Sequence, residues 1–244
     1  MSFTADLKTL FHLTLAPVCG RTHAERMEGF YRGQAEHYDD FRRRLLPGRE
    51  TLFQSVSWPC GAVWVDMGGG TGTNLEALGE RIAGLRSMYV VDLAASLLDV
   101  ARRRAEANGW TNVRAVAAAA TTFVPEEGAA DVVTFSYSLT MIPDWVAALD
   151  QVERLLKPGG VIGVVDFYVS RKHADVGRAR HGWCTRTLWP AWFGMDDVFL
   201  SPDHLPTLAR RFETIRCVEG RHKLPYVPLA RAPYYLFLGR KRGV

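Results

Sequence analysis

The stretch "VDMGGGTGTN" (Val65–Asn74) decides how the chain is read. An apolar run, "AVWVDM" (62–67), meets Gly68, Gly69, Gly70 and Gly72, and a helical pattern, "TNLEALGERI" (73–82), follows. Glycines allow positive φ and let a ligand approach the backbone closely. No GK[ST] follows them, so this is not a phosphate P-loop. GxGxxG is not matched either, because Thr73 stands where the last glycine would. Asp66, just before the turn, would repel a pyrophosphate. It suits a ligand that carries a cation.

The same rhythm repeats outward from this turn. "SMYVVDL" (87–93), "NVRAVAA" (112–118), "ADVVTFSY" (130–137) and "VIGVVDFY" (161–168) read as further strands. "AASLLDVARRRAEANG" (94–109) and "DWVAALDQVERLLKPGG" (144–160) read as helices, the second closed by Lys157-Pro158-Gly159-Gly160. Near-continuous Val/Ile runs between helices imply an α/β, doubly wound sheet of five parallel strands, Rossmann-like and buried on both faces. "ETIRCVEG" (213–220) and "PYYLFLGRK" (233–241) add an antiparallel edge. Residues 1–60 form a helical N-terminal cap or lid, with Phe3, Leu7, Leu10 and Phe11 at helical spacing. That cap lies over the site, on a membrane, or simply against the domain. Residues 61–244 form the ligand-binding domain, with an aromatic and basic insertion at about 171–210.

Composition narrows the class. The 244 residues are 48% hydrophobic and 23% charged, ordinary for a water-soluble domain. No apolar run approaches the roughly 20 residues that span a bilayer. The N-terminus lacks a signal-peptide pattern, so a cytoplasmic location is expected. Cys19, Cys60, Cys184 and Cys217 form no CxxC pair, which argues against zinc or a disulfide framework. The net charge is +4, and all of it is accounted for between Arg171 and Met195, where Arg171, Lys172, Arg178, Arg180 and Arg186 face Asp175 alone. Trp183, Trp189, Trp192 and Phe193 are interleaved with them. Such a mixture suits a membrane–water interface. It also suits single-stranded nucleic acid, or a solvated helix with its tryptophans in the core. The reading taken is peripheral membrane association and no nucleic acid.

S-Adenosylmethionine meets the requirement set by the glycine turn. It has an ammonium, a sulfonium and no phosphate. The turn resembles the first motif of class I S-adenosylmethionine-dependent methyltransferases. The resemblance implies that Asp66, Gly68, Gly70, Gly72 and Asn74 lie beside the methionine moiety, and that Asp92 and Leu93 hold the ribose. Asp92 could equally serve as a turn residue or helix N-cap. Many such enzymes carry an acid for the adenine amine at the end of the third strand. Here "VAAAATT" places Ala119 and Ala120 there. One lost hydrogen bond weakens binding by about 1–2 kcal/mol, and backbone groups remain to hold the adenine. A cofactor-binding subunit without turnover is the alternative that this departure raises.

The second half sharpens the resemblance. "FSYSLTMIPDW" (135–145), "GVVDFYVSRK" (163–172), "FLSPDHL" (199–205), "APYYLFLGRK" (232–241) and "FYRGQAEHYDDFR" (30–42) resemble betaine-lipid N-methyltransferases (BtaB type). That implies trimethylation of the homoserine amine of diacylglycerylhomoserine at a membrane surface, with no metal. It also implies a possible partner, the aminocarboxypropyl transferase of the preceding step. A phosphatidylethanolamine N-methyltransferase is the same-class alternative. A neutral amine attacking a sulfonium needs positioning rather than strong acid or base. Tyr137, Tyr31 and Tyr168 are the candidate catalytic residues. Tyr38, Ser136, Tyr137 and Met141 are expected near the cofactor. Arg171 and Lys172 are offered to the substrate carboxylate, with a surface salt bridge as the competing role.

Overall fold

The computed structural model describes residues 45–195, 197–223 and 230–243, with Thr22, Glu25, Arg26, Glu28 and Gly29. Seven strands form one sheet: β1 (Val63–Met67), β2 (Ser87–Asp92), β3 (Val113–Ala117), β4 (Ala130–Ser136), β5 (Leu156–Phe167), β6 (Glu213–Lys223) and β7 (Arg231–Arg240). Their order is β3-β2-β1-β4-β5-β7-β6. β1 to β5 are parallel, and β7 runs antiparallel to both β5 and β6. The expected parallel sheet with an antiparallel edge is present. The order reverses between β1 and β4, and crevices for ligands open at the carboxyl ends of strands at such a point.

Alternation along β1 sorts the core into two layers. Trp64 joins Leu52, Phe53, Leu75, Leu98 and Val165 on one face. Val63, Val65 and Met67 join Val133, Leu149, Val152 and Leu208 on the other. The first layer is roofed by α1 (Arg49–Ser55), the helical segment Thr73–Gly84 and α2 (Ala95–Ala107). The second is roofed by α3 (Trp145–Leu155) and α5 (His204–Arg211). α4 (Trp183–Gly194) adds Trp189 and Phe193 to the first layer.

Three elements depart from expectation. Thr73–Gly84 is a 3-10 helix broken at Gly79 (φ 54°) rather than a regular α-helix. α3 stops at Leu155, and Leu156–Gly160 begins β5, because Pro158 and Gly159 (φ 76°) cannot continue the helix. Within the stretch expected to be a cap, α1 belongs to the core: Leu52 and Phe53 are fully buried. Each contributes about 1.5–3 kcal/mol by burial. Most of residues 1–44, Tyr31 and Tyr38 among them, lies outside the described residues. No helix among the described residues is long and apolar enough to cross a membrane.

Candidate active site

The glycine turn is fixed by backbone geometry. Gly68, Gly70 and Gly72 have φ of 71°, 57° and 68°, where L-residues other than glycine are strained. The amides of Gly68 and Gly69 both donate to the Val91 carbonyl, at 2.7 and 3.1 Å. A Cβ at Gly68 would fall on that of Ser138, so the β1 and β4 loops touch here. Ser138 Oγ seals the contact by donating to the Met67 carbonyl at 2.6 Å. At Gly70 a Cβ would meet nothing closer than 3.6 Å, so this glycine serves its φ and leaves room above it.

Two acids flank the turn in different ways. Asp92 is half-buried and accepts from the Gly70 amide (2.9 Å) and the Ala94 amide (2.9 Å). It thus acts as a turn residue between β2 and α2. Asp66 lies wholly buried beneath the turn and accepts from Asn74 Nδ2 (3.0 Å) and Thr134 Oγ1 (2.7 Å). Arg49 donates to Asn74 Oδ1 at 2.8 Å, which ties α1 to this network. Burial pushes the Asp66 carboxyl up to about 6, against the lowering pull of Asn74, Thr134 and Arg49, and the neighbouring Asp92 raises it further. Two carboxylates facing a glycine cradle disfavour a pyrophosphate and suit a sulfonium and an ammonium. The cradle therefore fits S-adenosylmethionine. A cavity of 420 Å³ adjoins it, lined by Leu46–Thr51 and by Thr73, Asn74, Glu76 and Ala77.

Beyond the β4 end the hydroxyls of Tyr137, Ser138 and Thr140 are committed to the protein. Tyr137 adopts φ 55° and its ring tilts against Phe167 at 4.7 Å. Its hydroxyl donates to the Pro47 carbonyl at 2.7 Å, and burial holds its pKa well above the ordinary tyrosine value. Ser136 Oγ is buried with no hydrogen-bond partner among the described residues. Asp166, which the sequence reading passed over, is fully buried at the end of β5. It accepts from the Thr140 amide (3.0 Å), Thr140 Oγ1 (2.8 Å) and the Phe167 amide (2.8 Å), and so fixes the loop that carries Met141. Burial raises its carboxyl to about 7. An acid within an apolar strand, "GVVDFY", was the available signal.

The other expected residues separate from this group. Tyr168 faces the opposite layer, donates its hydroxyl to Glu219 and packs on His181 and Tyr235. With Arg171 it lines a second cavity of 260 Å³, which the glycine turn does not reach. Arg171 pairs with Asp203 at 2.6 Å, and Lys172 is exposed. Leu93, Ala119, Ala120 and Met141 are partly buried near the strand ends. The Ala119 carbonyl accepts from the amides of Thr122 and Phe123, so the turn uses that group itself. Two residues before α1 reach both flanks of the crevice. Glu28 accepts from the Ser96 amide at the start of α2, and Arg26 pairs with Asp197 beyond α4 at 3.2 Å.

Known proteins match this architecture. The sequence profile of the ubiE/COQ5 methyltransferase family matches residues 49–185. The chain is 26% identical over 142 residues to a demethylmenaquinone methyltransferase of Geobacillus stearothermophilus, covering 56% of this chain and 61% of the relative. It is 30% identical over 163 residues to the ubiquinone/menaquinone biosynthesis C-methyltransferase UbiE of Vibrio parahaemolyticus, covering 64% and 62%. It thus spans about three fifths of the length of these relatives. The N-methyltransferase NodS from Bradyrhizobium japonicum WM9, solved with S-adenosyl-L-homocysteine, shares the fold with a TM-score of 0.64 at 14% identity over 88% of this chain and 98% of that one. The matched span runs from α1 through the glycine turn to the start of α4 and takes in more than half the chain, so the protein belongs to the ubiE/COQ5 methyltransferase family.

Proposed function

We propose that the protein transfers methyl groups from S-adenosylmethionine to the homoserine amine of diacylglycerylhomoserine, giving the trimethylated betaine lipid. The cofactor supplies an electrophilic methyl on a sulfonium. In this reading the Gly68–Gly72 backbone lies against the methionine part and Asp92 takes the ribose hydroxyls. Asp66, beneath the turn, adds negative potential.

One observation carries the choice of acceptor. The connection from β4 to α3, residues 137–144, contains no imidazole, thiol or amine. Its hydroxyls are bonded to Pro47, Met67 and Asp166. A neutral amine attacks a sulfonium without help from a strong base, and an α-amine titrates near about 8, so part of it is neutral at physiological pH. The surroundings then need only shape and orientation. The segment resemblances noted above support the homoserine lipid, and a partner that supplies this lipid by aminocarboxypropyl transfer belongs to the same reading.

A second reading is favoured by the sequence relatives: C-methylation of a quinone ring, as the names of the Geobacillus and Vibrio proteins state for them. A ring carbon becomes nucleophilic only when a phenol proton leaves, so this reaction asks more of nearby acid–base groups. The deciding assay offers labelled S-adenosylmethionine with diacylglycerylhomoserine, phosphatidylethanolamine or a demethylated hydroquinone. Successive mono-, di- and trimethyl homoserine lipid is the expected product. Turnover of the hydroquinone alone would replace the proposal by the second reading.

A further inference from the structure

α4 has an unusual outer face. Its exposed residues are Trp183, Cys184, Thr187, Leu188, Ala191 and Trp192, and the exposed Met195 follows at its end. They form two neighbouring i, i+4 rows with no charge. Relative exposure is 72% at Trp183, 56% at Leu188, 37% at Trp192 and 66% at Met195. The outward side of a surface helix is ordinarily polar or charged. The helix's one charge, Arg186, is half-buried, with Nε shut off from solvent. α5 shows the ordinary pattern, with Arg210 exposed and Arg211 paired to Asp150 at 2.5 Å. The inner side of α4 is already satisfied, because Phe193 stacks on Phe167 at 4.6 Å and Trp189 tilts against Phe193 at 5.8 Å.

Exposed cations gather at the end of the sheet from which α4 follows. Lys172 and Arg180 are exposed just before the helix, and Arg221, Lys223 and Arg231 are exposed at the ends of β6 and β7. All sit at the carboxyl end of β5, the end that carries the crevice: β7 begins at Arg231, and the Tyr168 amide donates to the Pro233 carbonyl. The segment after α4 is tied to the loop that follows β4. The Phe199 amide donates to the Thr140 carbonyl at 2.8 Å, and Phe199 is itself 56% exposed.

We infer that the outer face of α4 docks on an anionic lipid surface, with Trp183, Leu188, Trp192, Met195 and Phe199 entering the interface and the flanking Lys and Arg residues meeting the headgroups. Charge selects this occupant. An uncharged aromatic and aliphatic patch, with exposed cations at the same end of the sheet, complements an apolar layer beneath negative headgroups. Twelve residues of helix are about 18 Å long, too short to cross a hydrocarbon core, so the helix lies flat. Indole at both margins of the face matches the boundary preference of tryptophan. Docking here would point the crevice mouth at the membrane. It deepens the lipid-acceptor reading and rests on it only in that last respect.

The test is flotation of the full-length protein, without cofactor, on phosphatidylcholine vesicles with and without phosphatidylglycerol. The wild type is expected to float with anionic vesicles and to be released as salt rises. Trp183→Glu/Leu188→Glu is expected to reduce binding at least tenfold while keeping the circular dichroism spectrum and melting temperature. Val124→Glu, at an exposed apolar position elsewhere, is expected to bind as wild type. Leu188→Phe is expected to retain binding. Three results would overturn the inference: no flotation of the wild type, undiminished flotation of the double variant, or a homodimer that the double variant dissociates. The proposed reaction fails separately. Flotation with no methylation of any acceptor would leave the docking face standing and remove the betaine-lipid assignment.

Discussion

The carboxyl edge of the sheet has two unlike halves. Around β1 and β2, polar groups are locked to one another across the neighbouring strand ends. Gly70 and Ala94 bind Asp92, Asn74 binds Asp66, and Val91 receives two glycine amides. Around β5 and α4, rings do the holding: Tyr137 on Phe167, Phe167 on Phe193, and Phe193 beside Trp189. The first half is a rigid cradle that a short, polar, cationic ligand can exploit. The second half is a packed aromatic ladder whose outermost rung faces away from the protein. Backbone hydrogen bonds are directional and fix a binding geometry, whereas apolar packing fixes which surface is left over.

Breaking the polar half should have the largest effect. Gly68→Ala forces a left-handed φ on alanine and drives its Cβ into Ser138. Strain and overpacking together should cost roughly 2–5 kcal/mol. Urea unfolding measures that cost, and calorimetry with S-adenosylhomocysteine should show cofactor binding lost with it.

Asp166 ties the loop after β4 to the end of β5, and its removal comes next. Asp166→Ala leaves the Thr140 amide, the Thr140 hydroxyl and the Phe167 amide without their acceptor, at a cost of about 2 kcal/mol. Its pH dependence has a definite sign. A carboxyl raised to about 7 favours the folded state when protonated. Its contribution is complete below the ordinary carboxylate pKa of about 3.9 and disappears as pH rises through about 7. From pH 5 to 8 the wild type should therefore lose stability relative to Asp166→Asn. Parallel melting curves for the two proteins across that range would refute this.

Smaller effects sharpen the contrast. Asp92→Asn keeps an acceptor for one amide but weakens the charge-assisted bonds. Affinity for S-adenosylhomocysteine should fall about tenfold, with the fold intact. Smallest of all, Trp183→Gln should change unfolding free energy by under about 0.5 kcal/mol, because that ring touches solvent rather than core. A large loss of stability there would show that the outer face of α4 packs on the protein itself.

Much of this was legible in the chain. The glycine turn, Asp92, the five parallel strands and the antiparallel edge all rest on local signals: φ requirements, short-range capping and apolar runs of strand length. The extent of the helices was less legible. Tertiary pairing overrode periodicity at Leu156–Gly160, which joins the sheet, and at Thr73–Gly84, which tightens to 3-10 under α1. The polar roles of single side chains were the least legible. Tyr137 was expected to meet the substrate amine, and its hydroxyl is spent on Pro47. Tyr168 was expected beside it, and strand alternation sends it to the other face, onto Glu219. Arg171 faces Asp203, thirty-two positions away in sequence.

The sequence by itself determined the architecture and the ligand class, because a glycine's φ and a neighbouring acid act over a few bonds and need no distant partner. Only the tertiary structure decided that Asp166 anchors the β4 loop and that Asp66 is sealed under the turn. It also decided which tryptophans of one basic segment are core (Trp189) and which are surface (Trp183, Trp192). Those assignments depend on what lies across the sheet. A one-dimensional pattern states that a helix has two faces, and only packing chooses which of them meets the protein.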